Sequence, residues 1–196
     1  MSLGKNIHDA FFVVRTTLEN AGKLLDYCRS EAQKEDSEFI PASYRILHDK
    51  YSDTEFEWCL YNFILVFQES KNKQLPNEWR NGPVYALEIN FNTYDYDEPT
   101  VTLAKYVYAK GALRSWSKGL KHNDFGGFLY PLYDEDTIEF QSDELSFSGI
   151  VIDKSYADSN SRSLRRIVGI QLPLAEITRE DAKNGIFGGF RSLIDK

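Results

Sequence analysis

The chain of 196 residues is 42% hydrophobic and 27% charged, with 12 Gly and 6 Pro, a folded globular composition that excludes disordered and collagen-like classes. Its longest apolar runs, Ala10 to Val14 and Phe63 to Phe67, are five residues each, far short of the ~20 that a membrane-spanning helix needs. The length fits a single domain over residues 1–196, and the net charge of −7 disfavours nucleic acid as a partner while favouring a basic protein.

In chain order, Ile7, Phe11, Val14, Leu18, Ala21, Leu25, Cys28 and Ala32 step by four and three. This spacing predicts a long amphipathic helix, with Asn6 as N-cap, Asp9 in the first turn and its end in the charge cluster Glu31 to Glu38 ahead of Pro41. Heptad steps also suit a coiled-coil seam, but Ala and Cys at seam positions favour packing on the protein's own sheet. A homodimer through this helix is the other use of the face.

Residues 43 to 67 read two ways. Strand formers dominate from Phe56 onward, which suggests a hairpin of Tyr44 to Lys50 with Glu55 to Phe67. The Ser52-Asp53-Thr54-Glu55 capping box allows instead a buried helix from Asp53 to Ser70. Tyr85, Leu87, Ile89 and Phe91 alternate with Ala86, Glu88, Asn90 and Asn92, a strand with one buried face. The turn Tyr94 to Pro99 leads to a return strand through Val101, Leu103, Val107 and Ala109. Leu145 to Asp153 and Arg166 to Leu174 form a second hairpin. Thr178 to Asp181 starts a helix that Gly185, Gly188 and Gly189 keep short or broken. Strands adjacent in sequence without βαβ alternation give an α+β fold: a long N-terminal helix, an antiparallel sheet of about five or six strands and a short C-terminal helix.

Cys28 and Cys59, 31 residues apart, match no zinc or redox spacing and read as buried thiols; with no signal-peptide core at the N-terminus, the expected compartment is the cytoplasm. The three histidines, His8, His48 and His122, share no metal-ligand spacing, and the acidic clusters lack the glycine and closing glutamate of a calcium loop, so no metal or cofactor is expected. Asp124-Phe125-Gly126 spells a kinase tripeptide without the other kinase elements.

Two functional readings follow. The first is a non-enzymatic cytoplasmic interaction domain, an inhibitor or adaptor, whose acidic surface and exposed tyrosines bind another protein through Tyr94, Asp95, Tyr96, Asp97 and Glu98. Further aromatic residues expected at turns or on outer faces are Tyr106, Tyr108, Trp116, Tyr130 and Tyr133, a pattern that also suits tyrosines serving as half-buried cover for a second helix. The second starts from residues 105 to 122, which carry five basic residues and no acid. It is a small enzyme or binding domain for a phosphate-bearing metabolite held by Lys105, Arg114, Lys118 and Lys121, with His122 and Asp124 beside it.

Overall fold

A computed structural model of the chain describes residues 2–43, 45–48, 62–91, 97–120, 126–132, 136–143, 145–152, 163–177 and 182–196. Helix α1 spans Leu3–Ala32, 30 residues. Its cap is Ser2 rather than Asn6: Ser2 Oγ accepts from the Lys5 N–H at 3.4 Å. Leu3 already stands four residues ahead of Ile7 in the same apolar spacing, so the helix runs past Asn6 to the first residue whose side chain can satisfy its N-terminal donors.

The strands are β1 (Phe39–Pro41), β2 (Leu47–His48), β3 (Asn62–Glu69), β4 (Val84–Asn90), β5 (Thr100–Tyr108), β6 (Ile138–Ser142), β7 (Ser146–Val151) and β8 (Leu164–Pro173). Seven of them run β1-β3-β4-β5-β8-β7-β6, all antiparallel, and the two-residue β2 also pairs with β3. The α+β class is present, as are the expected hairpins β4 with β5 and β7 with β8, and over the described residues Tyr44 to Lys50 meets Glu55 to Phe67 as the pairing of β2 with β3. The sheet has seven strands in this path, not five or six, because two edge strands carry almost no sequence signal. β1 is three residues ending in proline, which an edge accepts, and β6 has only Ile138 and Phe140 as apolar residues.

Residues 62–69 are strand, so the helical alternative for 53 to 70 fails over that stretch, while 53–61 lie outside the described residues. The ambiguity has a cause in packing. β3 is buried on both faces, so Phe63 to Phe67 reads as an unbroken apolar run instead of an alternation. For the same reason β4 departs from the expected single buried face, since Ala86, Glu88 and Asn90 are as buried as Leu87 and Ile89.

One face of the sheet carries Leu65, Phe67, Tyr85, Leu87 and Leu103 against the second half of α1 and the C-terminal helix. On the other, Ile64, Val66, Ala86, Ala104 and Tyr106 meet Trp79, Leu113, Trp116 and Phe128 from the loops and the short helix α2, Gly126–Leu129. The chain ends in a π-helical turn, Lys183–Phe187, running into α3, Gly188–Leu193, the short and irregular helix that its glycines imply.

Cys28, on the buried stripe of α1, is a free thiol that burial, reinforced by the Glu31 carboxylate, pushes up to about 12. In a Cys59→Ser background, Cys28 is expected to resist maleimide at about pH 8 in the folded protein and to react once urea unfolds it. Rapid labelling of the folded chain contradicts this packing.

Candidate interaction surface

The sheet-facing contact of α1 is confined to its second half, where Ala21, Leu25, Cys28 and Ala32 are buried. The expectation that the whole apolar face lies on the sheet is therefore corrected: Leu3, Ile7, Phe11, Phe12, Val13 and Val14 are 43 to 76% exposed. A helix that is apolar nearly all round over residues 10–14 is normally a buried one. The first half of α1 extends beyond the edge of its own core.

Charge divides this helix cleanly. Taking Ile7, Val14 and Ala21 as heptad a and Leu3, Ala10, Thr17 and Leu24 as d, the flanking e and g positions are Gly4, Phe11, Leu18, Asn6, Val13 and Asn20. No charged residue falls on any of these from Leu3 to Leu24. Lys5, His8, Asp9, Arg15, Glu19 and Lys23 all occupy the remaining positions, with Phe12 among them beneath the Arg15 guanidinium, 5.7 Å from the ring centroid. Arg15 also pairs with Glu19 at 3.6 Å.

The uncharged face leads into an apolar groove of about 720 Å3. Ala21, Leu24 and Tyr27 of α1 form one wall and Leu174, Ile177 and Ala182 the other, with Asn20 and Lys23 at the rim. A second, smaller recess of about 310 Å3 lies at the other end of α1 and is charged. Its ions serve each other: Glu31 accepts from Lys34 and lies 3.6 Å from Lys183, while Arg191 donates to Glu38. The Lys34 hydrogen bond is the main reason the Glu31 carboxyl is held below its usual range. The ion pairs tie α1 to the π-helical turn through Glu31 and Lys183, and the segment after α1 to α3 through Glu38 and Arg191.

The residues expected to bind an anion are divided by the sheet. Lys105 lies on the face beneath α3, only 6% exposed, where its ammonium donates to the carbonyls of Leu193 at 2.9 Å, Ile194 at 2.6 Å and Lys196 at 3.2 Å. Desolvation lowers its pKa from the ordinary lysine value. Arg114 is exposed on the loop after β5, whose neighbours Leu113 and Trp116 pack on the opposite face of the sheet. Lys118 pairs with Glu78 at 2.6 Å. Lys105 is thus withdrawn from any shared anion pocket with Arg114 and Lys118. Lys121, His122 and Asp124 lie outside the described residues.

Of the aromatic residues expected on outer faces, Tyr106 and Trp116 are core and Tyr108 is half-buried. Tyr106 is fully buried and donates its hydroxyl to the Phe128 carbonyl, and Trp116 packs edge-on against Trp79 at 4.7 Å and Tyr108 at 4.9 Å. In the acidic turn, Asp97 and Glu98 are exposed, whereas Tyr94, Asp95 and Tyr96 lie outside the described residues.

Sequence reasoning missed a polar row at one end of the sheet. Asn62, Asn90 and Thr100 are cross-strand partners, as are Glu88, Thr102 and Gln171. Asn62 Nδ2 donates to Glu88 Oε1 at 2.6 Å and Gln171 Nε2 to Thr102 Oγ1 at 3.3 Å, while Thr100 Oγ1 is buried without a hydrogen-bond partner. Polar side chains in alternate positions of a strand ordinarily mark a solvated face, which is why Glu88 and Asn90 read as exposed. Among the described residues no group of three or more His, Cys, Asp or Glu is placed to hold a metal ion, and no helix is long and apolar enough to cross a membrane.

Compared with known proteins, the chain matches no family model, no curated protein and no solved structure.

Proposed function

We propose that this chain is a non-enzymatic interaction protein that works through the uncharged face of α1 and the groove that continues it. The observation that carries this reading is the exposure of five large apolar side chains, Leu3, Ile7, Phe11, Val13 and Val14, on that face in the first half of one helix. Soluble proteins seldom present so large an apolar surface unless something covers it. A helix that lays an apolar stripe into a groove is a common mode of protein recognition. In the same reading, Asp97 and Glu98 in the acidic turn, with Tyr94 and Tyr96, add a charge-driven contact to a basic partner. The free thiol Cys28 suits a cytoplasmic setting. An anion-binding role draws no comparable support, since Lys105 is engaged by carbonyls and Lys118 by Glu78.

The test is affinity capture with the tagged full chain and its Val14→Glu variant in cells of its own source. Proteins retained by the wild type, a second copy of the chain included, should be lost from the variant. Val14 is exposed, so its replacement leaves the core intact. Equal capture by both overturns the reading.

A further inference from the structure

We infer that the occupant of the α1 surface is the same surface of a second copy, packed antiparallel about a two-fold axis near residue 12. This deepens the interaction reading and rests on it. An isologous interface requires a patch complementary to itself, and the uncharged face of α1 meets that requirement residue by residue.

In an antiparallel pair, a positions face d positions of the partner helix. With the axis at residue 12, Ile7 faces Thr17 of the second copy, Val14 faces Ala10, and Ala21 faces Leu3. The flanks then pair Phe11 with Phe11, Val13 with Val13, Gly4 with Leu18, and Asn6 with Asn20, whose amides can exchange hydrogen bonds. Lys5, His8, Asp9, Arg15 and Glu19 stay on the solvent side, and Lys23 stands at the rim of the groove. No charged side chain is placed in the seam itself.

The groove supplies the second argument. It begins at Thr17 and Ala21, where the antiparallel register delivers Leu3 and Ile7 of the other copy. The protruding helix tip of each molecule ends at the mouth of the groove, one turn short of Leu24 of the other. The exposed face of α1 and the groove thus cover each other twice over in the pair. The large apolar side chains on this face, Leu3, Ile7, Phe11, Val13 and Val14, are 43 to 76% exposed, and the groove extends them towards the ~800 Å2 per partner of a standard specific interface. A single exposed helix with no groove beside it offers much less.

Sedimentation equilibrium of the full chain over a wide concentration range tests the proposal. The wild type should be a dimer, and high salt should leave it so, because the contact is apolar. Val14→Glu should raise the dissociation constant about thirtyfold, as expected for a central anchor. Phe12→Glu, equally exposed but on the far side of the helix, should not. Orientation is read with a short thiol cross-linker in a Cys59→Ser background. Asn6→Cys combined with Asn20→Cys should link two chains, and Asn6→Cys alone should not.

A monomeric wild type at every concentration overturns the proposal, as does equal dissociation by Phe12→Glu and Val14→Glu, or cross-linking through Asn6→Cys alone. If the chain is monomeric yet Val14→Glu still removes a different captured protein, self-pairing fails while the interaction reading stands. If Val14→Glu changes neither mass nor capture, both fail.

Discussion

Replacing Phe190 with Ala is expected to destabilise the fold by about 3–5 kcal/mol, or about 6–20 °C in Tm. Phe190 is fully buried, and its ring centroid lies 5.4 Å from that of Phe39, 5.5 Å from those of Phe67 and Tyr85, and 6.2 Å from that of Phe187. These rings come from β1, β3, β4 and the π-helical turn, so one side chain joins α3 to three strands. Truncation leaves a cavity among stiff rings that cannot easily close around it. Urea unfolding followed by tryptophan fluorescence measures the loss. A change below about 1 kcal/mol means that α3 repacks freely, contrary to this account. Because the turn leading to α3 begins just after Ala182 in the groove wall, the same variant should also weaken any binding that depends on the groove.

Lys105→Met is expected to cost about 2–3 kcal/mol, the range for losing hydrogen bonds from a charged donor and leaving their acceptors unsatisfied. Methionine keeps most of the lysine stem in the core, so the loss reports on the ammonium and its contacts with the Leu193, Ile194 and Lys196 carbonyls. Amide hydrogen exchange should accelerate over residues 188–196 and little elsewhere. The direction of the Lys105 pKa adds a pH signature. Burial lowers it in the folded state, so the unfolded chain holds the proton more tightly over the alkaline interval between the two values. Through that interval wild-type stability should rise relative to Lys105→Met as pH increases. A parallel pH dependence for both proteins, or an unchanged exchange pattern in α3, argues against the assignment of Lys105 as the clasp of the C-terminal helix. Either result bears on function too, because a lysine committed to the fold cannot also hold a ligand.

What the amino-acid order determined by itself is local. Steps of four and three specify α1, and alternation or short β-rich runs specify β4, β5, β7 and β8, while β3 stays open between strand and helix. Polar turns between neighbouring strands make the sheet antiparallel and the class α+β. These signals survive because they need only the geometry of the backbone and the preference of apolar side chains for one side of it. The edge strands β1 and β6 escaped notice because a strand with one neighbour needs few apolar residues.

Tertiary structure decided which of the patterned residues are covered. Ile7, Phe11 and Val14 carry the same spacing as Leu25, Cys28 and Ala32, yet only the later three have a sheet and α3 opposite them. Periodicity states which residues share a face and is silent on whether anything faces it. Lys105 was legible as a charge in a basic segment, but the carbonyls that engage it come from residues 88 to 91 positions later in the chain. Glu88 was legible as the polar half of an alternation, and only the pairing of four strands shows it buried beside Asn62. Burial and partnership belong to pairs of residues far apart in sequence, and a one-dimensional pattern holds only one member of each pair.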